Sequence, residues 1–161
     1  MDMNKSELHE LVELVKQTNA LELPTNSCLY YSALLYATLV DNTAIKPKFI
    51  IGSVKILDQY IFKHDKNTSL SFKENISLQW DGHAWIEIDN LIVDLSLFKT
   101  IKNLSPTNIF HEYILNYFHR IPSALIISKQ ELELSKISYI AQGELSDNDA
   151  TILINSIDYL E

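Results

Sequence analysis

An α+β fold is what this sequence predicts, on three observations: an amphipathic helical pattern at the N-terminus, a second helix that is apolar almost all round, and a run of short strands after it. The chain has 161 residues, 47% hydrophobic and 21% charged, which suits one globular domain over residues 1–161. A chain of this size buries about two-thirds of its unfolded surface and needs neither metal nor disulfide to hold it. There is no internal repeat, low-complexity tract or linker.

The elements follow in order. Asn4 with Glu7 forms a capping box, and Leu8, Leu11, Val12 and Val15 recur at helical spacing, predicting a helix over about residues 5–18. Pro24 ends the link that follows, and Asn26 and Ser27 are both N-cap residues. From Cys28 to Val40 the sequence is nearly all apolar, as in a helix at the centre of a fold, and Asp41-Asn42 and Pro47 close it. Phe49 to Leu57 is rich in branched residues and reads as a strand. Residues 58–80 are mixed and polar, a strand with a long loop. His83–Ile88 and Leu91–Leu95 read as a hairpin turning at Asp89-Asn90. A helix over 109–121, stopping before Pro122 and with Tyr113, Tyr117 and Phe118 in the core, precedes a short strand over 124–127. Ser146 with Asp149 caps a last helix over about 147–160.

Bulk charge excludes some functions. The formal net charge is -8, and the nearest thing to a basic cluster is the scattered set Lys46, Lys48 and Lys55. Nucleic acids and anionic membrane surfaces are recognised by clustered Lys and Arg, so neither is an expected partner. Met1 to Thr18 alternates acidic and apolar residues, unlike a secretory signal, and no run reaches the ~20 apolar residues of a membrane span. A soluble cytoplasmic protein is expected, and an effector exported without a leader would carry the same features. No cofactor is implied: the only glycines are Gly52, Gly82 and Gly143, too few for a phosphate loop, and there is no Gly-x-Ser-x-Gly elbow. His111 and His119 lack the further ligands of a metal site, and Glu131 and Glu133 read as solvated surface.

Three residues carry chemistry. Cys28, the single cysteine, stands at the start of the buried helix, where unpaired N–H groups and the helix dipole favour a thiolate and can hold an oxyanion. His83 opens the run His83-Ala84-Trp85-Ile86-Glu87-Ile88, whose alternation puts Ala84, Ile86 and Ile88 on a core face and His83 and Trp85 on the other. Asp94 lies inside an apolar run, where a carboxylate is costly unless paired. With a two-residue loop, Ile88 faces Leu91 and Trp85 faces Asp94, making Asp94 the diagonal neighbour of His83. A three-residue loop would send Asp94 to the opposite face. The expected triad is Cys28 as nucleophile, His83 as acid and base, and Asp94 as its orienter. Asn26 and Gln79 are the available side-chain amides for an oxyanion, and Trp85 and Trp80 are candidates to line a substrate channel.

These residues resemble the transglutaminase-like superfamily of papain-type folds. The carrying stretches are Asn26-Ser27-Cys28 before an apolar helix, Ile50-Ile51-Gly52-Ser53-Val54, and Gly82-His83-Ala84-Trp85-Ile86-Glu87-Ile88 followed by Val93-Asp94. The likeness covers a core of about residues 22–97 and leaves 98–161 as an α/β extension. Its spacing is most similar to small bacterial peptidases that remove leaders from lasso peptides, although the basic residues common around the cysteine there are absent. The Cys-Gly-x-Cys-Trp surroundings of papain enzymes and the Arg-Gly-Gly-x-Cys of arylamine acetyltransferases are also missing. The resemblance implies a hydrolase or acyltransferase acting on a peptide or glutamine amide through a thioester: a peptidase, deamidase or transglutaminase. The reading from another class is a non-catalytic interaction or immunity protein on the same fold.

Overall fold

The computed structural model describes residues 3–23, 27–65 and 80–157. Six helices and six strands are found among them, and the architecture is α+β. The capping box at Asn4 and Glu7 starts α1 (Lys5–Asn19), whose Leu11 and Val15 face inward while Leu8 is exposed. Helix α2 (Cys28–Asn42) buries Cys28 to Ala33, then Leu35 and Leu39.

The longest strand, β1 (Lys48–Ile56), organises an antiparallel sheet. One edge is shared between β3 (His83–Ile88), opposite residues 48–52, and β2 (Gln59–Phe62), opposite residues 54–56. The other edge is taken by β6 (Ile137–Leu145). Beyond β3 come β4 (Leu91–Asp94) and β5 (Leu125–Ser128). Alternation then sorts side chains onto two cores. Phe49, Ile51, Ala84, Ile86, Ile88 and Val93 pack under α1, α2 and α6 (Asp147–Asn155). Ile50, Trp85 and Ile92 face the opposite layer of α3 (Leu97–Lys102), α4 (Ile109–Phe118) and α5 (Lys129–Leu134).

Gly52 is required where β1, β3 and β6 meet. A Cβ there would stand 2.0 Å from the Ile140 carbonyl oxygen and 3.0 Å from the Trp85 ring. The β1–β6 register shifts at the same point, between Ile51 and Gly52. Only a residue without a side chain lets the backbones approach this closely.

Several expectations are corrected. Helix α4 ends at Phe118, not 121, because His119 adopts a left-handed conformation (φ 62°) that ends the helix. Tyr117 is 41% exposed and lies outside the core expected to hold it. Strand β6 and helices α3 and α5 were not foreseen. The two helices have six residues each, too short to display periodicity. Strand β6 mixes exposed and buried positions without regular alternation. Residues 98–157 supply β5, β6 and α6 to the same sheet and cores. The segment 58–80 holds β2 at its start, while 66–79 lie outside the described residues. No helix among the described residues is long and apolar enough to cross a membrane.

Candidate active site

The hairpin has the two-residue turn that the site needs. Ile88 pairs with Leu91, Glu87 with Ile92 and Ile86 with Val93, and Asp89 takes up the strained turn with φ 49°. This register puts Asp94 on the face of His83, and His83 Nε2 lies 2.7 Å from Asp94 Oδ2. Both residues are buried, His83 completely and Asp94 at 1% exposed.

A buried carboxylate must be satisfied on every side, and Asp94 is. Its Oδ1 accepts the backbone N–H groups of Ser96 at 2.9 Å and Leu97 at 3.0 Å, with the Ser96 hydroxyl at 3.4 Å. Its Oδ2 accepts the Tyr139 hydroxyl at 2.7 Å in addition to His83. Burial by itself would raise the Asp94 pKa. The His83 charge and hydrogen bond, followed by Tyr139 and the Ser96 amide, hold it below the ordinary carboxylate value instead. Tyr139 is pushed well above a normal phenol, first by burial and then by the Asp94 charge, so it stays a hydrogen donor.

The same balance governs His83. Burial pulls its pKa down, but the Asp94 charge and hydrogen bond, and after them Cys28, raise it to about 10. The imidazole is therefore a cation at neutral pH. With Nε2 committed to Asp94, the nitrogen available to Cys28 is Nδ1, which is buried and makes no hydrogen bond of ordinary geometry among the described residues. The ring is further held by Phe62, stacked at 4.3 Å and 11°, and by Trp85 at 6.3 Å and 25°.

Cys28 is the first residue of α2, 7% exposed, and stands near enough to His83 to help raise the imidazole pKa. Of the three residues expected to form a triad, His83 at a strand start and Asp94 at the end of the neighbouring strand are in direct contact, with Cys28 at the helix start nearby. Ser27 occupies the N-cap without a side-chain cap hydrogen bond. As in any helix, the first-turn amides of α2 point out of its N-terminal end.

The other expected site residues fare differently. Asn26 and Gln79 lie outside the described residues. Trp85 cannot contact a substrate in this structure: it is fully enclosed, edge-on to Tyr139 at 4.8 Å, in the core beneath the sheet. Alternation put it on the right face, but a helical layer covers that face. Trp80 is partly buried and donates its Nε1 to His64 Nδ1 at 3.0 Å.

Sequence reasoning missed three contributors: Phe62, Tyr139 and Ser96. Tyr139 lies in the run Ile137-Ser138-Tyr139-Ile140, whose aromatic and branched residues are a strand signal. Ser96 stands two residues after Asp94, the spacing at which an aspartate side chain accepts a backbone N–H. Phe62 carried no signal separating it from neighbouring Tyr60 and Ile61. Comparison with protein-family models, with curated proteins and with solved structures finds no match.

Proposed function

We propose that this protein is a cysteine-nucleophile hydrolase or acyltransferase of papain/transglutaminase-like architecture, acting on a peptide or glutamine amide through a thioester. The observation that carries the reading is the His83–Asp94 contact at 2.7 Å, buried beside the chain's single cysteine at a helix start. The Cys28 thiolate attacks the carbonyl carbon, and the developing oxyanion turns toward the first-turn amides of α2; the thiolate is released again when the thioester opens. His83, a cation at neutral pH, gives its Nδ1 proton to the leaving amine as the C–N bond breaks. Neutral His83 then takes a proton from water or from an acceptor amine as that nucleophile opens the thioester. Water as nucleophile makes the protein a peptidase or deamidase, and an amine makes it a transglutaminase. Asp94 keeps its charge throughout and, with Tyr139, fixes the ring.

One observation favours a second reading, a non-catalytic interaction or immunity protein on the same architecture: Cys28 is only 7% exposed. Alkylation separates the two. An active site reacts with iodoacetamide at pH 7 on the order of tenfold or more faster than a free thiol, and His83→Ala removes most of that advantage. A cysteine inert in the folded chain, and reactive only on unfolding, establishes the second reading and ends the first.

A further inference from the structure

A cavity of about 430 Å³ lies beside the N-terminal end of α2. Its wall includes Ser27, which directly precedes Cys28, and Ser96, whose amide holds Asp94. Two lysines one helical turn apart on α3, Lys99 and Lys102, also line it. Lys99 Nζ sits 5.2 Å over the ring of Tyr31 and donates to the Asn19 carbonyl at 3.4 Å. Tyr31 in turn donates its hydroxyl to the Leu21 carbonyl at 2.8 Å, so the platform beneath the lysine is fixed. Neither lysine makes an ion pair among the described residues, whereas Lys16 and Lys129 each meet a glutamate. Like charges at this spacing repel, and Lys99 is partly removed from water. Glu22 also lines the cavity, but it is exposed and forms no ion pair with either lysine.

We propose that this cavity binds a carboxylate of the peptide on which Cys28 acts, selecting an acidic side chain or a terminal carboxylate next to the reacting amide. The proposal rests on the nucleophile reading above and adds the substrate class to it. An anion here relieves the Lys99–Lys102 repulsion and supplies a charge partner that no described residue supplies. Burial, and then the neighbouring Lys102, lowers the Lys99 pKa, the direction expected of a cation whose partner is yet to arrive.

Two small alkylating reagents of different charge test it. The readout is the ratio of the iodoacetate to the iodoacetamide rate at Cys28, referred to the same ratio for N-acetylcysteine amide. The ratio should fall on the order of tenfold in the Lys99→Gln/Lys102→Gln double variant and rise in Glu22→Gln. His83 is unchanged in these variants, so its own cationic effect on the ratio drops out. In parallel, the Cys28→Ala protein is titrated with N-acetyl-aspartate amide, with N-acetyl-alanine carrying a free carboxylate, and with neutral N-acetyl-asparagine amide, following the Ser96 and Thr100 amides by NMR. Shifts from an acid but not from the neutral peptide, lost in the lysine double variant, support the site, and whichever acid binds identifies the carboxylate's source. Fast alkylation with a ratio insensitive to both lysines overturns the pocket and leaves the nucleophile standing. Saturable acid binding with an inert Cys28 keeps the anion site and removes the catalytic reading. Neither binding nor reactivity overturns both.

Discussion

His83 and His64 are both buried, and both are held through a ring nitrogen, but their partners belong to opposite classes. His64, 9% exposed in the corner between β1, β2 and β6, accepts the Trp80 indole N–H at Nδ1, while its backbone N–H donates to Ser53 Oγ at 2.9 Å. An indole can only donate, so the His64 Nδ1 accepts, and no charged partner stands at that contact. His83 instead donates Nε2–H to a carboxylate, and it is the negative charge of Asp94 beside the ring that favours the cation. The lesson is that burial by itself does not decide a histidine's charge. The charge of the partner does, and a cationic ring has a proton to give to a leaving group.

That comparison can be broken at each partner. The largest effect belongs to Asp94→Ala, which leaves a buried imidazole and the Ser96, Leu97 and Tyr139 donors without their acceptor. A loss of about 3–5 kcal/mol in urea unfolding is expected. Next is the pH dependence of stability. The His83 pKa is raised on folding, so its contribution is complete below about 6.5 and is lost as pH rises through the folded value of about 10. Wild-type stability should fall across that window by on the order of 1 kcal/mol per pH unit, and His83→Gln should flatten the curve. Asp94 has the opposite sign: its folded pKa is lowered, so its contribution is present above the ordinary carboxylate value and disappears in acid.

Tyr139→Phe keeps the ring against Trp85 and removes one donor to a buried carboxylate, costing about 2 kcal/mol by thermal or urea unfolding. The smallest change is Trp80→Phe. It removes a neutral hydrogen bond to His64, costs about 1 kcal/mol, and should leave the alkaline fall in stability in place. A flattened alkaline limb in Trp80→Phe would show that the two histidines are coupled, and that the contrast drawn between them is wrong.

Much of the site was legible because local rules govern it. A two-residue turn at Asp89-Asn90 and strict alternation along two short strands are enough to bring Asp94 beside His83, and the register has Ile88 opposite Leu91 as those rules require. The helix starts were readable for the same reason, since Asn4 with Glu7 and Ser146 with Asp149 both form the capping boxes their spacing implies. Trp85 marks where local reasoning stopped. Alternation gave its face correctly, but whether that face meets substrate or a helical layer depends on α3 and α4, which arrive later in the chain.

Sequence alone, then, determined the capping boxes of α1 and α6, the hairpin turn and the side of the sheet on which His83 and Asp94 stand, because each follows from neighbours a few residues apart. Tertiary structure decided what no local pattern encodes. It brought Tyr139 from β6, 45 residues beyond Asp94, to the carboxylate, laid Phe62 on the imidazole, and set Lys99 over Tyr31. Those contacts cross between elements whose meeting is fixed by burying two cores at once, and a buried charge acquires its state from whatever that packing places around it.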